Sequence, residues 1–154
     1  MIRRVLNWLK LAKGSMPDKF TIPNKDTIEL WYRIQKEELD ETYKALLEGN
    51  IAEVKDGIQD QRVVLGNLVY FCGYSIEDYE NDFNKVMDSN FSKFCKSVGE
   101  AEETCDLYLM GQHPNLMGTK VECYYKKMLD YYIILRKSDD KIMKSVGFQE
   151  AQIS

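Results

Sequence analysis

The sequence predicts a mainly α-helical protein, an antiparallel bundle of four to five helices with a C-terminal β-hairpin. Three observations predict this fold class. Apolar residues recur at helical spacing through most of residues 1–110. Glycine, proline and helix-capping residues interrupt that pattern between the expected helices. Further on, runs rich in tyrosine, valine and isoleucine favour strands. We therefore expect a helical domain over 1–110 and a β-hairpin appendage packed on it over 111–154.

Start and stop signals divide the helical part of the chain. Gly49 and Asn50 are a strong C-terminal cap for one long helix, and Asn24 or Asp26 is the candidate cap at its start. Gly66, inside an otherwise apolar helix, indicates close packing against a neighbour. The expected elements are helices over 2–11, 27–48, 51–73, 76–88 and 100–110, hairpin strands over 120–127 and 131–137, and a further short strand over 141–145.

Composition limits the classes of function. The chain has 154 residues, of which 44% are hydrophobic and 30% are charged, as in an ordinary globular domain. A net charge of −4 gives no general attraction to nucleic acid, and no apolar run approaches the about 20 residues that span a membrane. The four cysteines show no CxxC spacing and no secretion signal precedes them, so we expect reduced thiols in a cytoplasm rather than a zinc site with the single His113.

Carboxylates interrupt what should be the apolar face of the long helix. The residues spaced by three and four along that face are Trp31, Ile34, Glu38, Glu41 and Ala45. Glu38 and Glu41 therefore occupy positions where leucine would be expected, and Glu37 lies beside them. Charged side chains at positions expected to be apolar make this face unusual.

A second acidic stripe, formed by Glu53, Asp56 and Asp60, begins the next helix. The turn at 49–50 makes the two helices antiparallel neighbours. Each acid by itself is best explained as solvated charge, and acids in a first turn complement the helix dipole. Carboxylates that face each other, however, rise in pKa or bind a cation, and Mg²⁺ or Mn²⁺ suits an all-oxygen site that also binds phosphates. Spacing alone leaves solvated charge and a metal site both open.

Two groups of motifs carry a family resemblance. The acids are arranged as Glu37-Glu38-Leu39-Asp40-Glu41 and Glu53-Val54-Lys55-Asp56. This resembles the Glu-Glu-x-x-Glu and Glu-x-x-Asp signature of the all-α nucleoside triphosphate (NTP) pyrophosphohydrolases, which include MazG proteins, dimeric dUTPases and phosphoribosyl-ATP pyrophosphohydrolases. Residues 56–60 and 86–94 are similar to the D-A-x-x-D and V-x-x-S-N-x-S-K segments of phosphoribosyl-ATP pyrophosphohydrolase-like proteins, many of them phage-encoded. The tyrosine-rich hairpin also looks like phage-type members, so the resemblance covers nearly the whole chain.

The resemblance implies a Mg²⁺-dependent enzyme, with Mn²⁺ as an alternative cation, that hydrolyses an NTP or dNTP to the monophosphate and pyrophosphate. The implied catalytic residues are Glu37, Glu38 and Glu41, the implied metal ligands are Glu38, Glu41, Glu53, Asp56 and Asp60, and the implied substrate contacts are Asn90 and Lys93. Without the motif, Lys93 would be read as an exposed solubilising lysine. Two registers stay open: Asp60 ends the second motif and Glu53 is peripheral, or Glu53-x-x-Asp56 is the motif and Asp60 is additional.

A non-catalytic alternative uses the same fold. The protein would bind a nucleotide without turnover, or would present a protein-interaction surface on the tyrosines of the hairpin, Tyr124, Tyr125, Tyr131 and Tyr132. Those tyrosines could equally alternate between a core face and a wet face. Relatives complete their sites with helices from other subunits, so the resemblance implies a homodimer or homotetramer, to which Trp8 and Trp31 would contribute. It also implies the host cytoplasm as the location if the chain is phage-encoded.

Overall fold

The computed structural model describes residues 2–153, which form two compact units, one up to Glu80 and one from Asn81 onward. The described chain is mainly helical, with five α-helices and a two-stranded antiparallel hairpin near the C-terminus, which confirms the predicted fold class at that level. The division between the units falls within the fourth helix. The last helix packs on the hairpin, and the expected boundary between 110 and 111 stays a prediction.

The helices lie close to their predicted positions. They are α1 (Ile2–Lys13), α2 (Lys25–Glu48), α3 (Ile51–Phe71), α4 (Ile76–Phe91) and α5 (Val98–Met110). Asn24, not Asp26, caps α2, because its Oδ1 accepts a hydrogen bond from the Thr27 amide at 2.9 Å. Gly49 ends α2 with a left-handed φ of 69°, as predicted. Within residues 2–153, no helix combines the length and the apolar character that crossing a membrane requires.

In the first unit, α2 and α3 pack as an antiparallel pair. The Trp31 indole N–H donates to the Val64 carbonyl at 3.1 Å. Less than one turn earlier on α3, Gln61 Nε2 donates to Thr42 Oγ1 at 2.9 Å. Trp31 is therefore a half-buried packing residue of this pair, and its contribution to assembly stays a prediction. Trp8, on α1, is 57% exposed.

Helix α1 packs on the C-terminal half of α3. Their shared core contains the buried residues Leu6, Leu9, Val69 and Tyr70. A Cβ added at Gly66 would lie 2.5 Å from Val5 Cγ1, so this glycine lets the two helices approach closely. The predicted reason for a glycine inside α3 is thus confirmed.

In the second unit, α5 packs on the hairpin formed by β1 (Cys123–Met128) and β2 (Tyr131–Arg136). Tyr125 pairs with Ile134 in the antiparallel register. The core contains Cys95, Ala101, Tyr108, Ile134 and Met143. The predicted third strand over 141–145 is wrong, because only an isolated bridge joins Ile142 to Leu135. His113 stacks on Tyr108 at 3.9 Å between ring centroids, and the four cysteines are free thiols.

The tyrosines of the hairpin are half-buried by contacts inside the second unit. The Tyr124 hydroxyl donates to Asp140 Oδ1 at 2.6 Å. Tyr125 and Tyr132 meet edge to face at 5.9 Å between centroids, and Tyr131 packs on a phenylalanine ring at the same distance. These side chains therefore have structural roles, in line with the expectation that they alternate between core and solvent.

Candidate active site

Glu38 is the carboxylate at the centre of the candidate site. It is half-buried on the face of α2 that packs against α3, in line with the buried residues Thr42 and Ala45. The prediction that Glu41 lies on this face is wrong, because Glu41 is exposed. Each residue turns a helix by about 100°, so positions three and four along fall on opposite sides of Glu38, and the contact with α3 passes through Thr42.

The structure brings four further carboxylates close to Glu38. The pKa of Glu38 is raised first by burial and then by repulsion from Asp60, Glu41, Glu37 and Asp56. Two of these acids come from α2 and two from α3, so the antiparallel pairing of the helices creates the group. We call Glu37, Glu38, Glu41, Asp56 and Asp60 the acidic cluster.

The lysines of α2 form ion pairs with acids outside the acidic cluster. Lys36 pairs with Asp40 at 3.5 Å, and Lys44 pairs with Glu48 at 3.9 Å, both between exposed side chains. Among the ion pairs of residues 2–153, none includes a member of the acidic cluster. Lys36 and Lys44 therefore do not neutralise the acidic cluster.

Glu53 differs from the other predicted ligands. It is exposed in the first turn of α3, where its amide N–H donates to Asn50 Oδ1 at 3.3 Å. The acids on α3 that raise the pKa of Glu38 are Asp56 and Asp60. Asp60 is half-buried and Asp56 is exposed. Glu53 therefore lies at the start of the helix, whereas Asp56 and Asp60 are close enough to Glu38 to raise its pKa.

Asn90 and Lys93 belong to the second unit, at the end of α4. Both are half-buried, and Lys93 Nζ donates to Asn90 Oδ1 at 2.6 Å. Ser92 between them is tied to the C-terminal tail, because its Oγ accepts from the Gln149 amide at 2.9 Å and its carbonyl accepts from Ser145 Oγ at 2.8 Å. Lys93 is therefore held in place rather than extended into solvent as an ordinary surface lysine.

Three residues that the sequence analysis did not select support the acidic cluster. Thr42 Oγ1 donates to the Glu38 carbonyl at 2.7 Å and accepts from Gln61 Nε2 at 2.9 Å. A Cβ added at Gly57 would collide with Thr42 Oγ1, so the helices approach closely only because residue 57 is glycine. A glycine inside a helix costs about 1 kcal/mol relative to alanine. Because of that cost, a glycine inside a helix indicates close packing against a neighbour. This signal was present in the sequence at Gly57 as well as at Gly66.

Replacing Gly57 with alanine is expected to lower the free energy of unfolding by up to about 2 kcal/mol. Overpacking against Thr42 costs about 1–3 kcal/mol, and the better helix propensity of alanine offsets only part of that. Urea unfolding followed by circular dichroism measures the change. Gly99→Ala is the control, because a Cβ at Gly99 meets nothing within 4 Å. Equal stability of the two variants would contradict the close contact at Gly57.

The donor chemistry of the acidic cluster fits a hard divalent cation. Every donor is a carboxylate oxygen, and burial together with repulsion from the neighbouring acids raises the pKa of Glu38. The side chains are not gathered at ligand distances, since residues 2–153 contain no group of three Asp, Glu, His or Cys that could hold a metal ion. The exposed carboxylates of Glu41 and Asp56 would have to turn inward around a cation.

The comparisons with known proteins assign no family to this chain, so a functional proposal rests on the geometry of the acidic cluster and on the sequence motifs. No protein-family model matches this chain, and no curated protein matches it either.

Proposed function

We propose that this protein is a Mg²⁺-dependent nucleoside triphosphate pyrophosphohydrolase that converts an NTP or dNTP and water into the monophosphate and pyrophosphate. The observation that carries the proposal is Glu38, half-buried and surrounded by carboxylates from two helices. Such an arrangement is costly unless a cation binds. The resemblance of the two acid motifs to MazG-like and phosphoribosyl-ATP pyrophosphohydrolase-like enzymes supports the same activity, as does their position on consecutive antiparallel helices.

Within the acidic cluster, four carboxylates would bind the cation and the fifth would position the attacking water. Glu38 and Asp60, the half-buried members, would hold the cation together with Glu41 and Asp56. When bound there, Mg²⁺ would supply Lewis acidity towards the phosphate oxygens. Glu37, exposed at the edge of the cluster, would orient the attacking water and accept its proton.

The reaction exchanges one P–O bond for another. The water oxygen bonds to the α-phosphorus, and the bond from that phosphorus to the bridging oxygen breaks, so pyrophosphate leaves with the electron pair. On the motif resemblance alone, Lys93, held by Asn90, would contact the nucleotide, where a positive charge stabilises the negative charge that develops on the leaving group. Beyond the nucleotide, the proposed partners are further copies of the chain in a homodimer or homotetramer, and neither nucleic acid nor a membrane.

A substrate panel with product analysis tests the proposal. The purified protein is incubated with each common NTP and dNTP in the presence of Mg²⁺ or Mn²⁺, and the products are separated by ion-exchange chromatography. We expect equal amounts of monophosphate and pyrophosphate, and loss of both after chelation of the cation. Absence of pyrophosphate with every substrate would overturn the proposal. Calorimetric binding of a nucleotide without product would then support the nucleotide-sequestering alternative.

A further inference from the structure

Two hydrogen bonds fix the direction in which β1 runs along α5 in the second unit. The Tyr125 hydroxyl of β1 donates to Glu102 Oε1, in the first half of α5, at 3.3 Å. The backbone N–H of Val121, just before β1, donates to the Tyr108 carbonyl in the last turn of α5 at 2.9 Å. The residue number therefore rises along the helix while it falls along the strand, so the two segments are antiparallel where they touch.

Cys105 and Cys123 lie opposite each other in the middle of this contact. Cys105 is three residues from each of the two helical residues in those hydrogen bonds, which is the spacing of one helical face. Cys123 is two residues from each of the two partners on the strand side, which is the spacing of one strand face. Both cysteines are half-buried, pack on the same core and line the same open cleft. The structure thus pairs one thiol of the helix with one thiol of the strand.

The charges around the two thiols fit this placement. The pKa of Cys105 is raised to about 11, first by burial and then by repulsion from Cys123, so the two sulfur atoms are close enough to interact. Burial raises the pKa of Cys123, and Arg136, its partner in the hairpin register, opposes that rise. Lys137 has the same opposing effect at Cys105. Two thiolates at this position repel each other unless a cation lies between them, and two basic side chains lie nearby to offset an excess of negative charge.

We propose that Cys105 and Cys123 bind a soft monovalent cation of the Cu(I) class between α5 and β1. Thiolates select soft cations, and Cu(I) is satisfied by two of them in linear coordination. A structural Zn²⁺ site needs four ligands, whereas residues 2–153 contain no group of three Asp, Glu, His or Cys that could hold a metal ion. Two S–H bonds lose their protons to water and two Cu–S bonds form, with no change in oxidation state. The complex then carries one net negative charge, which Arg136 and Lys137 offset.

Anaerobic competition for Cu(I) tests the site. The reduced full chain is titrated into the coloured complex of Cu(I) with bicinchoninate, and the loss of colour measures transfer of the ion. We expect one Cu(I) to be transferred per chain. Cys105→Ser and Cys123→Ser should each weaken the binding at least about 100-fold, since each removes one of two ligands and even groups that only orient ligands contribute about 10–100-fold. Cys72→Ser is the matched control, because Cys72 is a buried free thiol of the first unit, and it should bind Cu(I) like the wild type.

A wild-type chain that withdraws no Cu(I) from bicinchoninate would overturn the inference. Equal loss of binding in the Cys72→Ser control would also overturn it. Circular dichroism checks that each variant is folded. If the serine variants fail to fold, X-ray absorption at the copper edge of the wild type decides, because two sulfur neighbours are expected and nitrogen or oxygen ligands would contradict the site. The acidic cluster belongs to the first unit and the readout is ion binding, so an absence of pyrophosphate release leaves this result interpretable.

Discussion

Replacing Glu38 with glutamine is expected to reduce Mg²⁺-dependent release of pyrophosphate at least about 100-fold, since even residues that only orient metal ligands contribute about 10–100-fold. Glutamine preserves the size of the side chain but removes the charge that would hold the cation. The measurement is kcat/KM for the best substrate of the panel at saturating Mg²⁺. Asp40→Asn is the matched control, because Asp40 is an exposed neighbour that pairs with Lys36. Full activity of Glu38→Gln would exclude Glu38 as a ligand.

The same substitution should stabilise the protein when no divalent cation is bound. The pKa of Glu38 is raised above its ordinary value of 4.5 by burial and by the neighbouring acids, so the charged form disfavours folding. Wild-type stability should therefore fall as the pH rises through the raised pKa, and Glu38→Gln should avoid that loss.

Thermal unfolding in chelator measures this effect. Glu38→Gln should have the higher Tm at pH 7 and the same Tm as the wild type at about pH 3, well below the ordinary pKa, where Glu38 is protonated in both states. Added Mg²⁺ should raise the Tm of the wild type more than that of the variant, because only the wild type retains the full ligand set. A lower Tm for the variant at pH 7 in chelator would show that Glu38 stabilises the fold in another way.

Asp60→Asn is expected to lower pyrophosphate release by at least about 100-fold, whereas Glu53→Gln should change it by less than about 3-fold. Asp60 is half-buried and is the largest charged contributor to the raised pKa of Glu38. Glu53 is exposed in the first turn of α3. The same kinetic assay applied to both variants separates the two registers of the second acid motif. A large loss with Glu53→Gln and full activity with Asp60→Asn would favour the register that ends at Asp56.

The helices could be predicted from the sequence because their signals are local. Asn24, Gly49 and Asn50 satisfy backbone groups within a few residues of themselves, and such hydrogen bonds form regardless of the rest of the chain. The hairpin was predictable for the same reason, from a change of periodicity and a short turn. The strand over 141–145 could not be predicted correctly, because a third strand must pair with the edge of a strand elsewhere in the chain. Only an isolated bridge at Ile142 forms.

The sequence by itself determined that α2 and α3 are consecutive helices with acids on one stripe of each, since helical period and capping depend on neighbouring residues. The tertiary structure alone decided which acids face one another. The rotation of α2 about its axis depends on the surface of α3, and Gly57 permits close approach only at Thr42. That contact buries Thr42 instead of Glu41 and leaves Glu38 half-buried among four other carboxylates.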